Sequence, residues 1–491
     1  MMMEDRIRDT GPALDSPRLL RRFAYVGGAW QAGRAGRTFP VTNPADGTQL
    51  AEVALLSDAE AREAVAAAQG AYDAGVLSDE PERRACLARW ADLIEKHRQD
   101  LVRIMVAEQG KPHHEALGEV AYAAGFPRYY AGPLPDGLDH VAPKVAGART
   151  HVHRVPLGVA ALITPWNFPL AMLTRKAAAA IHAGCTVVAH PSPETPLSAL
   201  ALAELAEEAG FAPGVFNLVT GPSPEIVGAW MTDARVRVVS FTGSTEIGKL
   251  IYTEGAPTMK RLILELGGHA PFLVFADADL DRAVESAISA KFATSGQDCL
   301  GANRFLVERP VYDTFCERFA ARVAQLRVGP GHEDPDIGPL INASAVAKQQ
   351  AQVDDALRCG ARLLTGRQEG VPGPNFYAPT VLADVPFEAR IMSEETFGPV
   401  AALAPFDAEE EAVTRANDTD YGLVAYVHST NKDRIERVAS ALLFGMIAVN
   451  RTSITGPSVP FGGVKQSGLC REGSPLGRDA FTEIKYLCEH V

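Results

Sequence analysis

The sequence predicts an α/β protein with two doubly wound α/β domains, in which helices cover both faces of mostly parallel sheets. Two observations support this class. Apolar runs typical of buried strands alternate with helical patterns over residues 159–252, and the alternation restarts after Gly268. Such alternation implies right-handed crossovers and parallel pairing. The segment 481–488 has strand character, so the tail is expected to pair with another element or another subunit.

The elements follow in order along the chain. A helical stretch runs from about residue 58 to 125, with apolar residues at intervals of three and four. A break rich in proline and glycine at 132–137 precedes a strand-like segment at 150–155. Predicted strands and helices then alternate, with strands at 159–163, 186–189, 215–219 and 236–241, and helices at 170–182, 196–209 and 245–252. Thr195 is the expected N-cap of the helix at 196–209, with Pro196 in its first position.

The second unit repeats the pattern after Gly268. Predicted strands at 271–275 and 304–307 are each followed by a helix, at 279–292 and 311–326. Sheets of this kind bind ligands at the carboxyl ends of their strands. Polar residues in the loops after strands are therefore the first candidates for a functional site.

Composition limits the class of function. The net charge of −13 argues against a nucleic-acid partner, and no apolar run is long enough to span a membrane. No signal peptide is expected, because the first residues lack an apolar core. The seven cysteines are scattered, and no Cys/His spacing of a metal site is present. These features predict no metal, no disulfide framework and a reduced, cytoplasmic setting.

Cys299 and Glu265 are the residues most suited to covalent chemistry on a carbonyl group. Cys299 lies in the loop Ser-Gly-Gln-Asp-Cys-Leu-Gly at 295–301, where it is either a small buried residue or a nucleophile. Asp298 beside it would by itself disfavour a thiolate. Glu265 ends an apolar strand, where a carboxylate is either a capping group or a general base with a raised pKa.

Two further loops carry polar groups at predicted strand ends. Asn167, in Thr-Pro-Trp-Asn-Phe-Pro at 164–169, either forms a turn or donates its amide N–H to a developing oxyanion. The segment 241–248, Phe-Thr-Gly-Ser-Thr-Glu-Ile-Gly, opens a predicted helix and could present backbone N–H groups to a pyrophosphate. The usual GxGxxG pattern does not follow the first strand.

These segments together resemble the aldehyde dehydrogenase superfamily, and the resemblance is nearest to its succinate-semialdehyde dehydrogenase branch. Six motifs carry it, in order along nearly the whole chain. They are Pro-Trp-Asn-Phe-Pro at 165–169, Phe-Thr-Gly-Ser at 241–244, Leu-Glu-Leu-Gly-Gly at 264–268, Gly-Gln-x-Cys at 296–299, Glu-Glu-Thr-Phe-Gly-Pro at 394–399 and Pro-Phe-Gly-Gly at 460–463.

The resemblance implies a role for each matching residue. Cys299 is the nucleophile, Asn167 and the backbone N–H of Cys299 hold the oxyanion, and Glu265 activates the water that hydrolyses a thioester. Lys176 and Glu472 match a pair implicated in proton relay. The implied cofactor is NAD or NADP, with contacts from Thr164, Pro165, Trp166, His190, Ser192, Pro193, Gly243, Ser244, Leu266, Glu395 and Phe397.

The expected adenosine site departs from the family pattern. Where the family usually has Lys-Pro-x-Glu, this chain has His-Pro-Ser-Pro at 190–193. Loss of the Glu removes repulsion of a 2′-phosphate, and loss of the Lys removes attraction to it. His190 replaces that attraction only in part, because histidine is mostly neutral near pH 7. The choice between NAD and NADP therefore stays open.

The expected substrate site departs as well. Arg175 matches one of two arginines that hold the distal carboxylate in the branch, Ala293 stands where the second would be, and Thr455 matches a hydroxyl. Arg451 either supplies the missing charge or lies on the surface. The implied substrate is a short semialdehyde with an anionic end, such as succinate semialdehyde. Alternatives are another acidic or an uncharged aldehyde, transfer of the thioester to CoA, or a non-catalytic structural role.

The resemblance also implies a domain organisation. It assigns a dinucleotide-binding domain to residues 1–131 and 156–266, and a catalytic domain to residues 267–440. An oligomerisation arm of residues 132–155 and 475–491 implies a homodimer or homotetramer.

Overall fold

The structure is a computed structural model that describes residues 11–135, 138, 145–366 and 370–491. Two large sheets, of eight and seven strands, and two sheets of two strands organise these residues. The arrangement confirms the predicted α/β class with two α/β units. Within the described ranges, none of the helices combines the length and the apolarity that crossing a bilayer requires.

The chain begins with two hairpins and four helices. The elements are β1 (Ala24–Val26), β2 (Ala29–Gln31), β3 (Thr38–Thr42), β4 (Gln49–Ala54), α1 (Asp58–Asp73), α2 (Glu80–Lys96), α3 (Arg98–Gln109) and α4 (His113–Tyr130). Helix α1 begins with a reciprocal cap between Ser57 and Glu60, in which each side chain accepts from the other residue's backbone N–H. The predicted helical stretch is therefore four separate helices.

Strands and helices then alternate as the sequence predicts. The elements are β5 (Ala148–Pro156), β6 (Val159–Thr164), α5 (Ala171–Ala183), β7 (Thr186–Pro191), α6 (Pro196–Glu208), β8 (Phe216–Leu218), α7 (Ser223–Thr232), β9 (Val236–Thr242), α8 (Thr245–Gly255) and β10 (Arg261–Glu265). Every residue of β6 is buried, as expected for a strand with helices on both sides. Helix α7 was not predicted.

The second unit contains six parallel strands and one antiparallel edge strand. Its elements are β11 (Ala270–Val274), α9 (Leu280–Phe292), β12 (Ala302–Glu308), α10 (Arg309–Val323), α11 (Ala343–Arg358), β13 (Arg362–Thr365), β14 (Thr380–Ala383), β15 (Val400–Phe406), α12 (Glu409–Asn417), β16 (Val424–His428), α13 (Lys432–Ala441) and β17 (Met446–Val449). The strand order is β13-β14-β15-β12-β11-β16-β17. The sheet thus extends beyond residue 440, the predicted limit of this domain.

The C-terminal segment returns to the first unit. It consists of β18 (Gly468–Leu469), α14 (Ser474–Asp479) and β19 (Thr482–His490). Strand β18 joins the edge of the first sheet, whose order is β18-β10-β9-β6-β7-β8-β1-β2. Strand β19 pairs with β5 of the same chain from Thr482 to His490. Residues 136–137 and 139–144 of the predicted arm lie outside the described residues.

Parallel pairing brings three strand ends to one edge of the first sheet. Strand β9 pairs in parallel with both β6 and β10, and Glu265 is the register partner of Thr242. Thr164, Thr242 and Glu265 are the last residues of these strands. The motif loops that follow them therefore lie side by side at the carboxyl edge, where this class of sheet binds its ligands.

The N-terminus of α6 is capped from another helix. Thr195 occupies the N-cap position and Pro196 follows it, as predicted, but the Thr195 side chain forms no capping hydrogen bond. Instead, the buried carboxylate of Glu108, at the end of α3, accepts from the N–H groups of Leu197 and Ser198 at 2.7 Å each. A residue distant in sequence satisfies these N–H groups, which would otherwise be left unpaired inside the protein.

Replacement of Glu108 by Ala is expected to lower the free energy of unfolding by about 2 kcal/mol, because two buried N–H groups lose their acceptor. The measurement is the shift of the denaturant midpoint. Thr195→Val is the matched control and should cost less, since the Thr195 hydroxyl does not cap the helix. A larger loss in the Thr195 variant than in the Glu108 variant would contradict this assignment.

Candidate active site

Cys299 lies where two cavities meet. One cavity has a volume of about 370 Å³ and the other about 270 Å³, and Cys299 lines both. Its loop begins after α9 in a tight turn, where Thr294 and Ser295 adopt left-handed conformations with φ of 51° and 57°. Glu115 stabilises this turn by accepting from the Thr294 N–H at 2.9 and 3.1 Å. The loop therefore presents the thiol to two separate spaces at once.

Glycines in the motif loops allow the close approach that holds Cys299 there. A Cβ atom on Gly268 would collide with the carbonyl oxygen of Cys299, and one on Gly296 would collide with the backbone of Gly398. A Cβ on Gly267 would lie 3.0 Å from the Glu395 carboxylate. Three loops thus contact one another through their backbones, and larger residues at these positions would separate them.

Asn167 is buried, and both its side-chain amide and its backbone carbonyl are hydrogen-bonded. Its Nδ2 donates to the carbonyl of Gln297 at 2.9 Å, which joins it directly to the Cys299 loop. Its own carbonyl accepts from Lys111 Nζ at 2.9 Å. The Asn167 side chain lines the smaller cavity next to Cys299. This position suits a hydrogen-bond donor to an oxyanion formed at Cys299.

Lys111 and Glu119 support the Asn167 loop, and the sequence analysis did not find them. They form a buried ion pair whose side chains are each 1% exposed. Glu119 also accepts from the N–H groups of Leu170 and Ala171 at 3.0 and 3.2 Å, at the start of α5. The ion pair therefore holds the loop between β6 and α5 in place through hydrogen bonds to its backbone. Lys111 lies in the segment Gly-Lys-Pro at 110–112, and nothing in this local sequence predicts that its side chain contacts the Asn167 loop.

Glu265 lies at the end of β10 and lines neither cavity. Only 3% of the residue is exposed, and neither carboxylate oxygen has a hydrogen-bond partner among the described residues. Burial raises the pKa of this carboxyl well above its usual value, and the neighbouring Glu472 raises it further. Gly462 makes room for it, because a Cβ there would lie 2.7 Å from Oε1. Cys299 and Glu265 therefore do not face one shared cavity.

Lys176 and Glu472 form a buried ion pair beside Glu265. Ser240 joins them, accepting from Lys176 Nζ at 3.1 Å and donating to Glu472 Oε1 at 3.1 Å. Arg175 approaches the other oxygen of Glu472, with Nη1 at 3.7 Å from Oε2. The structure thus brings together the predicted pair and connects it to the arginine of the larger cavity.

Arg175, a predicted substrate residue, lines the larger cavity. Only 2% of the residue is exposed, and its guanidinium group lies 4.2 Å from the ring centroid of Phe461 and 4.9 Å from that of Phe126. It donates to the Tyr122 hydroxyl, while its Nε has no partner among the described residues. A buried cation with an unused donor suits an anionic ligand.

Of the other predicted substrate residues, Thr455 lines this cavity and Arg451 does not. Thr455 lines the cavity with Arg175, and so does Ala293, which brings no charge. Arg451 is exposed and is not among the lining residues, so the structure does not bring it to this cavity. The remaining lining residues are Glu115, Gly118, Glu119, Tyr122, Phe168, Met172, Ser289, Ala290, Thr294, Asp298, Leu300, Tyr426, Thr452, Ser453 and Phe461.

The smaller cavity collects most of the residues predicted to bind a cofactor. These are Pro165, Trp166, Gly243, Ser244, Leu266, Glu395 and Phe397, and the sequence analysis missed Thr242, Gly267 and Lys348. The buried Thr242 Oγ1 has no partner among the described residues, which indicates a missing polar ligand. Gly243 and Ser244 stand at the N-terminus of α8, where a phosphate is favoured. The site therefore fits a dinucleotide.

Four predicted cofactor residues do not line this cavity. Thr164 is buried at the end of β6, and Ser192 and Pro193 follow β7. His190 is buried, with Nδ1 2.9 Å from the Val219 carbonyl and Nε2 2.9 Å from Ser223 Oγ. Burial lowers its pKa to about 4, so the ring is neutral near pH 7. His190 therefore supplies no charge for a 2′-phosphate.

Negative charges surround the Cys299 thiol. Burial raises the pKa of this thiol well above its ordinary value, and the carboxylates of Asp298 and Glu395 raise it further. Arg175 opposes them. The resting protein therefore holds Cys299 as a thiol, and a bound positive charge or hydrogen-bond donor would favour the reactive thiolate.

Comparison with known proteins gives a consistent result. The sequence model of the protein family described as the aldehyde dehydrogenase family matches residues 30–487 of this chain. A Halomonas elongata protein described as aspartate-semialdehyde dehydrogenase (non-phosphorylating) is 48% identical over 97% of each chain. A Pseudomonas putida glutarate-semialdehyde dehydrogenase is 47% identical over 97% of this chain and 100% of its own.

A solved structure agrees with these relatives. The crystal structure of succinate-semialdehyde dehydrogenase from Burkholderia pseudomallei superposes with a TM-score of 0.94. It is 46% identical, and the match covers 98% of this chain and 100% of that one.

Alkylation of Cys299 by iodoacetamide is expected to speed up as the pH rises above neutrality into the alkaline range. Only the thiolate reacts, and burial raises the pKa of the thiol. Asp298→Asn removes a charge that raises this pKa further, so its profile should move to lower pH. Mass spectrometry of labelled peptides measures both profiles, with the exposed Cys359 as internal control. A Cys299 rate already level at neutral pH, or identical profiles, would contradict the electrostatic account.

Proposed function

We propose a substrate class and a set of residue roles for this chain, which belongs to the aldehyde dehydrogenase family. The chain is an enzyme that oxidises an aldehyde with NAD or NADP. We propose that its substrate is a short semialdehyde whose anionic end binds Arg175, and that Cys299 is the nucleophile. One observation carries the proposal: Cys299 lies between a cavity that contains a buried arginine and a cavity that fits a dinucleotide.

The first step is attack on the aldehyde. The Cys299 thiol releases its proton to solvent, and the thiolate sulfur bonds to the aldehyde carbon as the C=O π bond breaks and the carbonyl oxygen becomes an alkoxide. Asn167 Nδ2 and the backbone N–H of Cys299 donate hydrogen bonds to this oxygen. The hydrogen bond between Nδ2 and the Gln297 carbonyl keeps the donor beside the Cys299 loop. The chain thus offers a fixed donor where negative charge develops.

The smaller cavity would hold the cofactor, which when bound would supply the hydride acceptor that turns the adduct on Cys299 into a thioester. Gly243 and Ser244, at the N-terminus of α8, would bind its phosphates, and Glu395 and Phe397 would hold its nicotinamide end. Glu395 is itself held, because Oε1 accepts from the Gly268 N–H at 2.8 Å. Trp166 and Phe397, whose ring centroids are 5.6 Å apart, together line one side of the smaller cavity.

Hydrolysis of the thioester is assigned to Glu265. Its raised pKa makes it a stronger base than an exposed carboxylate. Because it lines neither cavity, the role requires a rotation of the side chain that carries the carboxylate from Gly462 toward Cys299. The unpaired oxygens leave it free to make this movement. Lys176 and Glu472, next to it, then take up and release the proton removed from water.

The location and assembly of the enzyme are also proposals. Exposed apolar side chains occur on β19 and on α8, among them Ile484, Tyr486, Leu250 and Tyr252. Surfaces of this kind favour contact with another subunit, and we propose a homodimer or homotetramer. A cysteine nucleophile is inactivated by oxidation, which favours a reduced compartment such as the cytoplasm. The domain division at residue 267 remains part of the proposal.

A substrate panel tests the anionic end. The value of kcat/KM for succinate semialdehyde should exceed that for butanal by about tenfold or more, because the carboxylate pairs with a buried cation. Arg175→Gln should reduce this ratio toward one. The ratio is used because any general damage from the substitution lowers both values together. Equal values for the two aldehydes in the wild-type enzyme would refute an anionic substrate.

A further inference from the structure

The larger cavity contains more negative than positive charge. Its ionisable lining residues are Glu115, Glu119, Asp298 and Arg175, together with the Cys299 thiol and the Tyr122 and Tyr426 hydroxyls. Glu119 is neutralised by its buried ion pair with Lys111. Glu115 and Asp298 form no ion pair with any residue that the structure describes. The cavity therefore presents one cation and two carboxylates without an ion-pair partner, on which the charges of Lys111 and Arg175 act only from a longer distance.

The two carboxylates are held in place by neutral donors only. Glu115 accepts from the Thr294 N–H, and Asp298 Oδ1 accepts from the Leu300 N–H at 2.9 Å. The Cys299 thiol is a further neutral hydrogen-bond partner of Asp298. Neutral donors orient a carboxylate but do not cancel its charge. Burial raises the pKa of both carboxyls, because neither negative charge is fully solvated. Each retains unused acceptor positions beside the cavity.

Arg175 is an independent sign that the same cavity receives a charged ligand. It is 2% exposed, it lines the cavity, and its Nε has no partner among the described residues. Glu472 already takes up part of its charge, with 3.7 Å between Nη1 and Oε2. A ligand with only an anionic end would thus meet one shared cation and two opposing carboxylates. A ligand with charges of both signs would satisfy all three groups.

We infer that the substrate is an amino-substituted short semialdehyde, whose ammonium group binds Glu115 and Asp298 while its carboxylate binds Arg175. This inference rests on the proposed function, since it takes Cys299 as the nucleophile and Arg175 as the partner of the carboxylate. It assigns a specificity role to Glu115, which the sequence analysis did not single out. The site recognises a zwitterion, and the reacting aldehyde carbon lies a few bonds from the ammonium group.

The ammonium group has a consequence for the nucleophile. Asp298 is adjacent to Cys299, and its negative charge disfavours the thiolate. An ammonium group bound to Asp298 offsets that charge at the moment when the aldehyde is in position to react. The correct substrate thereby removes an obstacle to its own reaction, whereas an aldehyde without the amino group leaves it in place. Discrimination should therefore appear in kcat as well as in KM.

Two aldehydes that differ only in the amino group test the inference. Aspartate semialdehyde is succinate semialdehyde with an amino group on the carbon next to the carboxylate. The wild-type enzyme should show a kcat/KM for aspartate semialdehyde about tenfold or more above that for succinate semialdehyde. Glu115→Gln should lower this ratio by about tenfold, because it removes a charge that only the ammonium group uses.

The glutamine amide keeps an oxygen that can accept from the Thr294 N–H, so the turn before Cys299 retains its support. Asp279→Asn, on the surface at the start of α9, is the matched control and should leave the ratio unchanged. Equal or lower activity on aspartate semialdehyde, or an unchanged ratio in Glu115→Gln, would overturn the inference while leaving the proposed function intact. Failure of both semialdehydes to reduce NAD or NADP would instead overturn the proposed function.

Discussion

Backbone contact between three loops is the constraint on which the site depends. The loops that carry Gly268, Gly296 and Gly398 approach so closely that a side chain at any of these three positions would collide with a neighbour. Parallel strand pairing brings the loops after β6, β9 and β10 to one edge of the first sheet, and the glycines allow the second unit to close on that edge. Cys299 lies where these loops meet, between the two cavities that are proposed to bind the substrate and the cofactor. The motifs therefore have a structural origin as well as a chemical one.

Burial of ionisable groups governs the chemistry around Cys299. The Cys299 thiol and the Glu265 carboxyl both have raised pKa values, chiefly because each is removed from water. Burial thus disfavours the charged form of both groups, which is the form that each needs in order to react. Positive charge is supplied from one direction, by Arg175 and Lys176, and both cations are shared with Glu472. The carboxylates of Glu115 and Asp298 have no ion-pair partner among the described residues, which leaves them available to a positively charged group on the substrate.

Much of this could be predicted from the sequence. The periodic alternation of strands and helices has a local cause, and it predicted the fold class and the strands whose ends build the site. Predictions that depended on distant contacts were less successful. Thr195 occupies the predicted N-cap position of α6, but Glu108 from another helix, and not the Thr195 side chain, accepts from the first N–H groups. Helix α7 was missed, although Pro222 and the residues after it begin a regular helix.

In the site, too, the residues of local sequence motifs were predicted, whereas the residues that reach the site through tertiary contacts were not. Cys299, Asn167 and most of the cofactor residues lie in motif loops, and those loops converge. His190 follows the motif pattern, yet the structure turns its ring inward, and Arg451 remains on the surface. Lys111, Glu115 and Glu119 contribute to the site from α4 and the turn before it. Nothing in their local sequence indicates that they lie beside Cys299, because that proximity arises only when the two units pack together.

The central claim is that Cys299 carries the acyl group and that Glu265 is needed to release it. The most direct measurement is mass spectrometry of the tryptic peptide 292–304, in which Cys299 is the single cysteine. After reaction of the Glu265→Gln variant with a semialdehyde and NAD or NADP, the account predicts that this peptide accumulates the mass of the acyl group. Without the cofactor, or with Cys299→Ala, the added mass should be absent. An unmodified Cys299 peptide in a variant that turns over at the wild-type rate would contradict the account.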